Sequence, residues 1–373
     1  MAHTAARAVN PGRLARQAKP PFTVSPDNLL AYANDCISAA RALPRKRLIR
    51  RDLRLARLNM TVWFTSERLA SLCEAMLVQH NSETPFRPAA EIFALDAQEQ
   101  GWEPPAIWDE GAGFSSREFE RILAAGNRRG FYHHDAPSWQ FYDPAAAIGV
   151  HTLPGPVDIP PWERGSPLRL FVHWAHAAAG RRLTHAATLG LNGHGVLIVG
   201  ASGSGKSGTT LAGLLNGLDS VGDDYVVVEQ GPSVVAHSVF KVFKQDPDGL
   251  RRVGMDMTDL CDAKLNWHGK IEFDAEKLAP HAFADRMEIR ALLLPRIALT
   301  SRTNIEPVAA HDAALALAPS AVLQLPGDAS EGFRFFASLA RRLPAFRVSL
   351  SQDATEIADA IGSFIAKEAG HSS

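Results

Sequence analysis

The stretch Val196-Leu-Ile-Val-Gly-Ala-Ser-Gly-Ser-Gly-Lys-Ser207 opens as an apolar, β-branched run and breaks into alternating glycines before a lysine and a serine. The first half predicts a buried strand, and Thr209 to Leu218 predicts a helix behind it. Together they satisfy G-x-x-x-x-G-K-[ST] through Gly200, Gly205, Lys206 and Ser207, in the strand–loop–helix order that gives the pattern its meaning. Glycines at 200, 203 and 205 permit a tight backbone path whose N–H groups, with the helix N-terminus, can hold phosphate oxygens. The run Gly200-Ala201-Ser202-Gly203-Ser204-Gly205-Lys206-Ser207-Gly208 therefore reads as a nucleotide-binding loop, with ATP as the expected ligand. Lys206 would bring a point charge to the outer phosphates, and the Ser207 hydroxyl is a hard oxygen ligand for Mg²⁺. A ligand-free glycine turn would leave the lysine without a purpose.

Working outward, Ser220-Val-Gly-Asp-Asp-Tyr-Val-Val-Val-Glu229 puts a paired acid at Asp223 and Asp224, only seventeen residues after Lys206. About three turns of helix lead straight to that pair at the start of a strand. Two consecutive acids can divide labour, one holding a metal and the other taking a proton from an incoming hydroxyl. A plain helix-to-strand turn is the alternative, and its closeness to the loop argues against it. Upstream, Leu183 to Leu191 and Val196 to Gly200 read as strands joined by an Asn192-Gly193 turn. Leu168 to Ala179 reads as a helix whose His173 and His176 share an apolar face, which suits packing better than metal ligation.

Pro154 to Pro167, dense in proline, marks a boundary. Before it, residues 26–160 read as an α+β module: a helix over Asn28–Ala42, a strand over Leu55–Phe64, and a helix over Glu67–Val78 with Ser66 as its cap. Residues 80–115, rich in Pro, Glu and Gly, carry no clear element. Phe131 to Asp143 reads as a hairpin, and adjacent His133 and His134 would point to opposite faces, which disfavours a shared metal. The basic stretch from Arg41 to Arg57 reads as a solvated, charge-rich edge rather than a binding patch. Residues 1–25, basic and without an acid, read as a disordered leader.

The whole chain of 373 residues carries 39 Lys plus Arg against 40 Asp plus Glu, so no global field draws it to nucleic acid or an anionic membrane. No apolar run approaches the length of a membrane span. Three dispersed cysteines fit a reducing, cytoplasmic setting without a disulfide framework.

Taken together, the loop, the early Asp223-Asp224 pair and the upstream run Thr184-His185-Ala-Ala-Thr-Leu-Gly-Leu-Asn-Gly-His-Gly195 resemble the HPr kinase/phosphorylase family, more closely its shorter HPr-kinase-like members. Ser166-Pro-Leu-Arg169 and Leu294-Pro-Arg296 add to the resemblance, which spans roughly residues 164–360. It implies a P-loop kinase core of the HPr kinase / phosphoenolpyruvate carboxykinase type over 161–373, an α/β fold with the N-terminal α+β module attached. It also implies that His185 approaches the transferring phosphate, that Asp223 acts as general base, and that Asp224 with Ser207 holds Mg²⁺. Arg296 could carry charge on the moving phosphoryl or stand as a surface arginine, whereas Lys241 and Lys244 would do no more than line the opening. Gly208 departs from the family pattern, as do the first 160 residues and the segment after Asp224. The expected reaction is Mg²⁺-dependent transfer of the ATP γ-phosphoryl to a hydroxyl, first a peptide or protein serine. A sugar or polyol kinase and a nucleotide-gated regulatory protein stay open, as does homo-oligomerisation.

Overall fold

The computed structural model describes residues 22–370 apart from residues 82, 323–324 and 328. Most of the leader expected over residues 1–25 lies outside that range. The chain is mixed α/β, with a six-stranded sheet, an eight-stranded sheet, a three-stranded sheet and a short two-stranded pair among the described residues.

The six-stranded sheet runs in the order Ile49–Leu55, Leu58–Phe64, Ala90–Asp96, Ile148–Leu153, Ser138–Asp143, Arg129–His133. Its middle strand, Ala90–Asp96, falls inside the segment for which the sequence offered no element. It is parallel to both neighbours and buried on both faces, so it shows no polar alternation to read. Ser66 caps the helix Glu67–Glu74 by accepting from the Leu69 N–H at 3.2 Å, and that helix stops a turn earlier than its sequence pattern suggests. The basic stretch lies on the edge strand and on either side of it in the chain. Arg51 pairs with Glu67 and Glu74, Arg50 with Asp52, and Arg57 reaches Glu229 at 3.3 Å.

The eight-stranded sheet is built around the long strand Arg286–Thr300. One of its edges is Ala187–Leu191, which forms a hairpin with His194–Ile198 through the Asn192-Gly193 turn. The far end of the strand order is Arg181–Thr184, paired with Val226–Gln230. These two ends of the order are separated by only His185 and Ala186 in sequence, so the sheet curls until its edges nearly meet. The single strand expected over Leu183–Leu191 is therefore two strands with a seam at His185.

The helix Arg169–Ala178 joins the two large sheets. Phe171, Val172, Trp174 and Ala175 are buried in one core with Leu53, Met60 and Ile92 of the first sheet and with Tyr225, Val227 and Phe240 of the second half. Each large apolar side chain so buried contributes about 1.5–3 kcal/mol. His173 and His176 lie in that interior, and burial pushes both imidazoles down to about 3, so they pack as neutral rings. Among the described residues no helix is long and apolar enough to cross a membrane.

Candidate functional site

A cleft of about 890 Å³ opens where the hairpin strand His194–Ile198 ends and the helix Lys206–Leu215 begins. The connecting loop has φ of +80° at Gly203 and +105° at Gly205, conformations that side chains disfavour. A Cβ on Gly205 would also stand 2.6 Å from the Leu350 side chain, which would have to shift to admit it. Gly208 has its own reason: a Cβ would sit 3.2 Å from the Gln245 amide, which packs against the first helical turn. Lys206 is buried and curls over the loop, its ammonium donating to the carbonyls of Gly200 at 2.8 Å and Ala201 at 3.1 Å. Burial pushes its pKa down, against the pull of Asp223 and Asp224.

Across the cleft stand the two acids. The strand Ala187–Leu191 holds the segment that carries them: the Thr188 N–H donates to the Gly222 carbonyl at 3.0 Å, and the Thr188 hydroxyl accepts from Val221. Asp223 is 3 % exposed. Burial and the neighbouring Asp224 charge push its carboxyl up to about 6, and the nearby Ser207 hydroxyl only partly offsets them. Its Oδ2 accepts a long hydrogen bond from the Lys244 backbone N–H at 3.4 Å, while Oδ1 is buried without a hydrogen-bond partner. Asp224 is the opposite case. His185 Nε2 meets one oxygen at 2.9 Å and the Lys244 ammonium meets the other at 3.0 Å. Burial would raise this carboxyl, but Lys244 and His185 outweigh it and hold the group well below the usual carboxylate range.

The structure thus brings Lys206, Ser207, Asp223, Asp224 and His185 to one cleft. Arg296 is not brought there. It is exposed on the strand Arg286–Thr300, with its guanidinium 3.4 Å from the Ser349 hydroxyl, while its neighbour Ile297 lines the cleft. Adjacent strand residues face opposite ways, so one of the two had to lose the site. The expectation that Asp224 serves a metal also meets an obstacle. A divalent ion needs an oxygen at roughly 2.1 Å, and both Asp224 oxygens are already held by cationic or hydrogen-bonding groups. The Ser207 hydroxyl, which lines the cleft close to Asp223, is the better-placed hard oxygen for a cation. Among the described residues, no group of three or more His, Cys, Asp or Glu could hold a metal alone. A cation there would draw most of its oxygens from phosphates and water.

The sequence reading gave Lys244 a marginal place and gave none in the cleft to Arg169, Trp162 or Trp267, all of which line it. Arg169 donates to the Tyr225 hydroxyl at 3.1 Å and stacks over its ring, while the two tryptophan rings meet at 5.6 Å. The only available signal was positional, since Arg169 opens a helix and Lys244 belongs to a short strand.

No family model matches the sequence, and no curated protein matches it. Among solved structures, the Hpr(Ser) kinase/phosphatase from Coxiella burnetii is similar over 51% of this chain and 98% of its own, at 15% identity and a TM-score of 0.27. That likeness is too slight to assign the chain to a family.

Proposed function

We propose that the chain is a Mg²⁺-dependent kinase that transfers the γ-phosphoryl of ATP to a hydroxyl, with a peptide or protein serine as the first acceptor class. Residues 161–373 would form the P-loop catalytic unit and residues 26–160 a module attached to it. The observation that carries this reading is the facing pair: a glycine loop closed over Lys206, and opposite it Asp223, a buried acid near pKa 6 with one oxygen unpartnered. A general base works best with a pKa near the working pH, and an unengaged oxygen gives it somewhere to put the proton.

In this scheme the loop N–H groups and Lys206 bind the phosphates, which requires Lys206 to exchange the Gly200 and Ala201 carbonyls for phosphate oxygens. Ser207 would hold Mg²⁺, which supplies charge neutralisation on the phosphates. The acceptor oxygen bonds to the γ-phosphorus as the bond to the β-bridging oxygen breaks. The electron pair leaves on ADP and the hydroxyl proton passes to Asp223. Asp224 is then the anchor that orients His185 and Lys244, in place of the metal role expected for it.

The test follows labelled γ-phosphate from Mg·ATP onto a panel of serine-bearing peptides and polyols. Lys206→Ala and Asp223→Asn should each lower transfer by roughly 10²-fold or more, with the folded state retained. Unchanged function in Asp223→Asn, together with nucleotide binding and no labelled acceptor, would leave a nucleotide-gated switch instead.

A further inference from the structure

We propose that Lys244 is a catalytic residue of this cleft, the cation that meets the charge of the γ-phosphoryl during transfer. The inference rests on the kinase reading above and fills a role that reading leaves open. A loose phosphoryl transition state spreads negative charge over three oxygens, and one loop lysine with a metal leaves its acceptor side unneutralised. The resemblance offered Arg296 for that side, and the structure turns it away from the cleft.

Lys244 touches both acids. Its backbone N–H donates to Asp223 at 3.4 Å, and its ammonium sits 3.0 Å from Asp224 and 3.8 Å from Glu272. Its side chain is 17% exposed and lines the cleft with Lys206 and Ser207. The strand Val242–Gln245 fixes its backbone by pairing with Ile271–Asp274. Gly165 clears its path: a Cβ there would stand 3.1 Å from the Lys244 side chain. Burial lowers its pKa, but Asp224 and Glu272 outweigh burial and keep it charged. Arg169 is spent on Tyr225, and Arg252 is mostly exposed beside Asp246 at 3.7 Å. Lys270 also lines the cleft, where its charge opposes that of Lys206, and among the described residues it makes no ion pair with either acid.

An ammonium held between two carboxylates before the nucleotide arrives is preorganised, so little reorganisation is needed when charge develops. During transfer the acceptor oxygen–phosphorus bond forms, the bond to ADP breaks, and the proton goes to Asp223. Lys244 exchanges no proton and contributes charge alone.

The experiment compares binding of Mg·ADP with and without aluminium fluoride, a mimic of the transferring phosphoryl, by calorimetry. Wild type should bind Mg·ADP more tightly when the fluoride is present, and Lys244→Met should lose roughly tenfold or more of that gain while holding Mg·ADP itself within about threefold. Lys244→Arg should keep part of the gain. Should Lys244→Met fold poorly because Asp224 is left unpaired, the double variant Asp224→Asn with Lys244→Met removes both charges and should show the same lost gain. A fluoride gain that survives in Lys244→Met or in the double variant overturns the role, as does a wild type that binds Mg·ADP with no gain. Failure of wild type to bind Mg·ADP at all overturns the kinase reading and this role with it.

Discussion

Two buried acids, Glu163 before the helix Arg169–Ala178 in the chain and Asp223 after it, show how differently the same chemistry can be set. Glu163 is fully buried against the six-stranded sheet. The Gln140 amide donates to both of its oxygens, at 2.9 and 2.8 Å, and His133 Nε2 lies 3.3 Å away. Burial would raise its carboxyl, but the His133 charge and hydrogen bond, with help from His151 and Arg169, hold it down to about 2. Asp223 is nearly as buried, yet its Oδ1 has no partner and its pKa rises to about 6. A saturated acid is a structural brace. An acid with an empty oxygen stores free energy that a proton or a cation can release, and that is the condition of a working group. Trp162 and Glu163 are neighbours in sequence, so the brace also fixes a wall of the cleft.

The comparison is broken most forcefully at Glu163. A folded pKa depressed from 4.5 to about 2 contributes about 3 kcal/mol at neutral pH. That stability is present above the unfolded value and is lost as pH falls from about 4.5 towards 2. Glu163→Gln should therefore cost about 3 kcal/mol in urea unfolding at pH 7, with the gap to wild type closing in acid. An unfolding midpoint unchanged at pH 7 would mean that the cluster braces nothing.

At Asp223 the sign reverses. Its folded pKa, about 6, lies above the ordinary 3.8, so ionising it opposes folding. The penalty is absent below about pH 4, grows as pH rises, and is complete above about pH 6, where it amounts to about 2–3 kcal/mol. Asp223→Asn should accordingly be more stable than wild type by about that amount at pH 7.5 and equal to it at pH 4. Thermal melting at the two pH values checks this. A destabilised Asn variant at pH 7.5 would place Asp223 among the braces, alongside Glu163.

How much of this was legible in the sequence depends on how local each signal is. The loop from Val196 to Ser207 and the helix after it are short-range patterns of apolar run, glycine and lysine, and the hairpin turn at Asn192-Gly193 is another. The closeness of Asp223 to Lys206 in the chain likewise hinted at closeness in space. The strand Ala90–Asp96 was hidden because a strand buried on both faces loses its alternation, and its flanks are rich in proline and glutamate. The seam at His185 was hidden because Leu183–Leu191 reads as one apolar run, and only the curl of the whole sheet breaks it. The different fates of Asp223 and Asp224 could not be read at all. They follow from Lys244 and His185, which reach the pair from a separate strand and from the seam.

The smallest effect should come from Arg296, and for that reason it sharpens the picture. Arg296 opposes Ser349 in the parallel pairing with Ala345–Ser351, and its exposed side chain stays on that side of the sheet while Ile297 faces the cleft. Removing an exposed guanidinium whose hydrogen bond to Ser349 is long should change stability by no more than about 0.5 kcal/mol. Because nothing carries its charge into the cleft, Arg296→Ala should also leave the proposed phosphoryl transfer within roughly twofold of wild type. Lys244→Met, by contrast, removes a charge already lodged between Asp224 and Glu272. If Arg296→Ala instead slowed transfer as much as Lys244→Met, the strand Arg286–Thr300 would have to turn its other face inward when nucleotide binds. The register shift between Ile297 and Thr300 is where such a twist would have to occur.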